Sequence, residues 1–116
     1  MVEKILDLHI HSKYSRACSI DLVLPTIAKT CEVRGIDIVA TGDFTHPAWF
    51  AHMQEQLIED TSGIYKLRDD SSKTRFIIGT EVASIKKHAG QTRRVHLLIF
   101  APSLEAAGKF NKVIEA

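Results

Sequence analysis

The feature that most constrains the fold is an alternation. Three strand-length runs, Ile5–Ile10, Ile36–Ala40 and Arg75–Thr80, are set apart by helical patterns. Pro25 suits a first helical turn, Ile27, Ala28 and Cys31 fall on one face, and Gly35 supplies the stop. Pro47 opens a second helix, with Phe50, Met53 and Leu57 at helical spacing. Strand, helix, strand, helix, strand implies a parallel sheet with right-handed crossovers. Ser62-Gly63 and Arg68–Lys73 are polar and turn-prone, and read as loops inside one domain because apolar segments continue on both sides.

Beyond Thr80 the pattern changes. Val82–Lys87 and Arg93–Phe100 are two β-prone runs joined by His88–Thr92, which reads as a hairpin turning at Gly90. Ser103 can cap a last helix whose apolar face is Leu104, Ala107, Phe110 and Val113 or Ile114. The chain stops inside that pattern. Its 116 residues make one small domain or part of a larger one. An apolar share of 45% and a charged share of 25% are those of a soluble globular chain. The net charge of +1 carries no overall signature of nucleic-acid binding, so such a role must come from a local patch. The apolar runs are too short to cross a bilayer, and Glu3, Lys4 and Asp7 interrupt the N-terminal one, so neither a membrane span nor a signal peptide is expected. Cys18 and Cys31 lack CxxC partners and read as thiols of a reducing cytosol, giving a cytoplasmic expectation. Cys31, Trp49 and Phe50 read as core residues, and His52 as a surface residue of the second helix.

The chemistry gathers at Asp7-Leu8-His9-Ile10-His11-Ser12. Residues two apart on a strand share a face, so Asp7, His9 and His11 would line up while Leu8 and Ile10 turn into a core. Two imidazoles on a rigid strand can hold a divalent ion. Asp43 and Glu81 follow the second and third strands directly, and in a parallel α/β sheet the C-terminal strand ends gather at one mouth. His96 lies on the returning arm of the hairpin and comes back past the same rim. His9, His11, Asp43, Glu81 and His96 are thus the candidate metal ligands, with Asp43 and Glu81 the catalytic carboxylates. All are nitrogen or oxygen donors, suited to zinc, manganese or iron. Such ions clamp a phosphoryl group and lower the pKa of bound water, which suits phosphoester hydrolysis. Ligation should weaken as pH falls through the histidine range, because the metal needs neutral imidazole. Arg16, in the polar loop after the histidines, is a candidate phosphate binder or a solvated loop charge. Lys86, Arg93 and Arg94 make the hairpin basic, which fits a grip on a phosphate backbone or an edge protected by charge.

These residues carry a resemblance. Asp-Leu-His-Ile-His-Ser, the Asp43 segment, Gly79-Thr-Glu81 and His96-Leu-Leu resemble, in order, the leading motifs of the polymerase and histidinol phosphatase (PHP) superfamily. Within it, His11-Ser-Lys-Tyr-Ser-Arg-Ala17, Thr41-Gly-Asp-Phe-Thr-His-Pro47, Arg94-Val-His96 and Phe100-Ala-Pro102 are similar to the endonuclease Q family. The resemblance covers essentially the whole chain. It implies the N-terminal half of a distorted (β/α)7 barrel with a β-hairpin insertion, residues 1–116 being a partial PHP catalytic domain. It further implies a metal-dependent DNA-repair endonuclease that nicks 5′ to deaminated bases or abasic sites, with DNA as partner. Two or three divalent ions (zinc, manganese or magnesium) would occupy the complete site. His9, His11, Asp43, Glu81 and His96 match ligand positions of the family. His46 and Asp7 are further candidates for metal or substrate contact. Two departures stand out. Many relatives read Thr-Asp-His where this chain has Thr41-Gly42-Asp43, and Ala17 stands where another histidine is frequent. The later strands and ligands of the barrel are also missing, so the 116 residues alone are expected to be poorly active and to self-associate. A small-molecule phosphatase of the histidinol-phosphate kind, or a non-catalytic metal- or nucleic-acid-binding fragment, are the alternatives.

Overall fold

The computed structural model describes residues 4–8, 23–88 and 90–115, the hairpin positions 82–88 and 92–96 by their backbone pairing. Helix α1 spans Leu24–Arg34 with Pro25 in its first turn. It ends where Gly35 turns left-handed (φ 75°) and donates its N–H to the Cys31 carbonyl. Helix α2 spans Pro47–Gln56. Strands β1 (Leu6–Asp7) and β2 (Ile38–Ala40) lie parallel, with Asp7 beside Val39. The strand β5 (Arg75–His88) continues the parallel set on the far side of β2, with Val39 beside Phe76. The alternating runs therefore form the expected parallel core.

Residues 57–67 do not follow the expectation of helix end and loop. They form an antiparallel pair, β3 (Leu57–Thr61) and β4 (Ile64–Leu67), closed by Ser62-Gly63 with Gly63 at φ 80°. β4 then joins β5 antiparallel through Tyr65 and Phe76, giving the sheet order β1-β2-β5-β4-β3. Arg75 fastens the outermost strand, its Nε lying 2.8 Å from the Asp60 carboxylate. The hairpin expected after Thr80 is present, but without a break: β5 runs on as one strand of 14 residues. The strand β6 (Gln91–Ala101) pairs with it from Ile78↔Ala101 to His88↔Gln91, turning at Gly90 with φ 77°. At roughly 3.4 Å per residue this ribbon is about 35 Å long. It explains an extent of 51 Å against 33 and 29 Å. The radius of gyration, 15.2 Å, likewise exceeds the roughly 13.5 Å of a compact domain this size.

The final helix α3 spans Leu104–Glu115. Ser103 caps it as expected, its Oγ accepting the Ala106 N–H at 3.0 Å. The Leu104 N–H donates to the Tyr65 hydroxyl at 2.9 Å, which ties the helix start to β4. Leu104, Ala107 and Phe110 pack on the core, whereas Val113 and Ile114 are exposed, so the apolar face ends a turn earlier than its pattern suggested.

All three helices contribute to one core on one face of the sheet. Val39, Tyr65, Phe76 and Ile78 meet Leu24, Ile27 and Cys31 of α1, Trp49 and Met53 of α2, and Ala107 of α3. The opposite face carries Leu6, Leu98 and Phe100 at 49%, 44% and 41% exposure. Parallel strands are ordinarily covered on both sides. We therefore expect the 13.0 kDa chain to associate at micromolar concentration in sedimentation velocity, and Leu6→Lys with Leu98→Lys to shift it toward monomer.

Cys31 is a core thiol as expected, and burial pushes its pKa above the usual thiol value. The negative charge of Asp7 adds to the push, Arg34 opposes it, and Glu32 adds a smaller rise. The folded chain thus favours the protonated thiol, a contribution present below pH 9 and lost as pH rises through the raised value. Alkylation of Cys31 by iodoacetamide at pH 8 is accordingly expected to follow unfolding rather than precede it.

Candidate functional site

The site is built around a turn at the end of β2. Thr41 is fully buried, and its N–H donates to the Ile77 carbonyl at 2.8 Å. Its Oγ1 accepts the Gly79 N–H at 3.2 Å, so β2 is sewn to β5 beyond the last paired residue. Gly42 (φ 67°) and Asp43 (φ 50°) then both take left-handed backbone, which glycine adopts freely and aspartate tolerates. Trp49 Nε1 forks to the Gly42 carbonyl at 2.8 Å and the Thr41 carbonyl at 3.2 Å. The His46 N–H donates to the Asp43 carbonyl at 2.9 Å. The Asn111 amide, from α3, donates to the Phe44 carbonyl at 2.9 Å. Phe44 is fully buried against Phe110 in an edge-to-face contact. Asp43 is left half-buried, and His46, at the start of α2, is exposed.

Glu81 is also half-buried, but it does not follow a strand end as its sequence position implied. It lies inside β5, just past the point where β5 leaves its parallel neighbour and continues with β6 alone. The reason is that β6 takes over the backbone bonds from Ile78 onward, so nothing stops the strand at Thr80. Thr41 and Gly79, each two residues before Asp43 and Glu81, are joined by the Thr41 Oγ1 to Gly79 N–H bond.

Glu81 is opposite Leu98 and Ala83 is opposite His96, so His96 stands in register two residues along the ribbon from Glu81. Arg94 is opposite Ile85 in the register, and Lys86 is opposite Arg93. Asp7 is not brought to Glu81. It is level with Val39 and Phe76 on the helix-covered side, close enough to Cys31 to raise its pKa. His9, His11 and Arg16 lie outside the described residues. Among the described residues no three histidine, cysteine, aspartate or glutamate side chains converge to hold a metal ion.

His52, expected to be a surface residue, has a structural part. Its Nε2 accepts the Leu24 N–H at 3.2 Å, at the start of α1, where Val23 offers no side-chain cap. That acceptor role requires the ring proton on Nδ1. The imidazole also stacks on Trp49, with ring centres 5.0 Å apart. The sequence signal was its spacing of three from Trp49 on one helix face. His52→Ala leaves a buried N–H without this acceptor and is expected to lower stability by about 1–3 kcal/mol, read by urea denaturation. Thr41→Val, which removes the hydroxyl joining β2 to Gly79, is expected to cost a similar amount, about 1–3 kcal/mol.

The chain's mixed α/β fold is similar to that of a lesion-specific DNA endonuclease. The neighbour is the endonuclease Q of Pyrococcus furiosus, which superposes over 95% of this chain with a TM-score of 0.75 at 27% identity. A structure of endonuclease Q with a 27-mer duplex carrying an abasic lesion at the active site matches with the same score at 28% identity. An uncharacterized protein of Methanocaldococcus jannaschii is 29% identical over 110 residues. The chain spans 25% of the endonuclease Q chains and 11% of the Methanocaldococcus protein. No protein-family model matches it. No described helix is long and apolar enough to cross a membrane.

Proposed function

We propose that this chain is the leading part of a metal-dependent DNA-repair endonuclease that cuts 5′ to deaminated bases or abasic sites. The observation that supports it best is a coincidence. A chain that superposes on endonuclease Q over 95% of its length carries Asp43 in the turn after β2, Glu81 within β5 and His96 on the strand paired with it. The donor set fits divalent ions: two half-buried carboxylates and an imidazole, with His9 and His11 as the remaining nitrogen donors. Zinc, manganese or magnesium held there would lower the pKa of water and neutralise a leaving phosphate oxygen. The protein's own part is to fix Asp43 through its turn and Glu81 through the strand. Arg16, Lys86, Arg93 and Arg94 would supply cations to the DNA backbone. His46 is kept as a substrate or ligand candidate at the rim.

The test is a labelled duplex with one uracil, hypoxanthine or abasic site, incubated with the protein and Mn²⁺ or Mg²⁺. Cleavage 5′ to the lesion, absent from undamaged duplex and abolished by EDTA, is the expected result. The 116 residues by themselves should turn over slowly, because one face of the sheet is open. Release of phosphate from small monoesters without duplex cleavage would replace this reading with the phosphatase one.

A further inference from the structure

Four successive carbonyls, those of Thr41, Gly42, Asp43 and Phe44, are each taken by a defined donor. The donors are Trp49 Nε1 for the first two, the His46 N–H for the third and the Asn111 amide for the fourth. Two of these donors are side chains from separate helices, α2 and α3, and both reach the one turn that carries Asp43. Neither is needed to finish its own helix. The Trp49 ring is fully buried, and its indole N–H is the donor that reaches the turn carbonyls. We propose that Trp49 and Asn111 are positioning residues, a two-helix clamp that fixes the left-handed Gly42-Asp43 turn so that Asp43 presents its carboxylate preorganised.

Two consecutive left-handed residues, one of them not glycine, are a sparsely populated backbone conformation. Such a conformation persists when its surroundings over-determine it. Here the indole holds the carbonyls before Asp43 and the amide holds the one after it. Thr41 adds the third fastening, to β5. Donors that orient a ligand-bearing segment from outside the coordination shell change metal affinity by about 10–100-fold when removed.

This rests on the reading of Asp43 as a metal ligand, so the test carries one readout that needs no metal. Trp49→Phe keeps an aromatic ring in the core and deletes the indole N–H. Asn111→Ala deletes the second donor from outside the buried core. Ile27→Val, in α1 and away from the turn, serves as the stability-matched control. In hydrogen exchange, the His46 amide is expected to exchange at least about 10-fold faster in Trp49→Phe and Asn111→Ala than in Ile27→Val, once matched for thermal stability. In equilibrium dialysis with Mn²⁺, the dissociation constant of both clamp variants is expected to rise about 10-fold and that of Ile27→Val to stay at the wild-type value. Unchanged exchange at residues 41–46, or changes that merely track thermal stability across all three variants, would overturn the clamp. Faster exchange in a protein whose wild type retains no Mn²⁺ would uphold the clamp and count against the metal site.

Discussion

Trp49→Ala is expected to bring the chain close to unfolding. The indole is fully buried in the core beneath the helices, and it is the largest fully buried side chain among the described residues. Truncating a buried aromatic to alanine costs about 3–5 kcal/mol. Here the cost should sit at the upper end, because the Thr41 and Gly42 carbonyls lose their donor and His52 loses the ring on which it stacks. Total stability for a domain of this kind is about 5–15 kcal/mol. Urea denaturation followed by far-UV circular dichroism should show a midpoint moved sharply down, with a visible unfolded fraction in buffer. Trp49→Phe, which keeps most of the apolar volume, should retain most of the stability. A loss below about 1 kcal/mol for the alanine variant would mean that the core does not depend on this ring.

What could be read from the sequence was what local chemistry decides. Pro25 and Gly35 bracket α1, Pro47 opens α2, Gly90 turns the ribbon and Ser103 caps α3, each by its own backbone or side-chain preference. The β3–β4 pair was locally signalled too, by two short runs separated by Ser62-Gly63. It was obscured because Leu57 also completes the helical spacing of Phe50 and Met53. A residue that satisfies two periodicities is assigned by tertiary contacts, and Leu57 is buried as a strand residue beside Leu67.

The less legible part was non-local. The hairpin after Thr80 was legible, but nothing near Thr80 in sequence says that its returning strand pairs back as far as Ile78 and carries β5 through Glu81 without a break. Nothing near His52 says that the start of α1, 28 residues earlier, lacks a cap. Asp7 shows the limit of the period-two argument. Its pairing beside Val39 sets it on the side of Cys31, and which face of the strand looks toward α1 is decided by the crossover, while the histidines it was aligned with lie outside the described residues. Of the candidate site, the residue types and their order were legible. Which neighbours hold the Asp43 turn was not, because Trp49 and Asn111 reach it from two different helices.

Glu81→Gln should lower lesion-directed cleavage by more than about 100-fold while leaving the fold intact. Loss of an outer-shell partner already reaches about 10–100-fold, and a ligand should exceed that. Glutamine matches glutamate in size and hydrogen-bonding reach but lacks the charge that a divalent ion selects. The position is half-buried, its pairing with Leu98 is made by backbone, and glutamine keeps the size and hydrogen-bonding reach of the side chain. Stability should therefore stay within about 0.5 kcal/mol of wild type. The measurement pairs initial cleavage rates on an abasic duplex with thermal unfolding of the same preparation, in a length of chain that shows lesion-dependent cutting. Asp43→Asn supplies the second arm: if both carboxylates hold one ion cluster, the double variant should be little worse than either single one, because groups acting as a unit are not additive. Full cleavage by Glu81→Gln would remove the ribbon face from the catalytic site and leave Asp43 without its proposed counterpart.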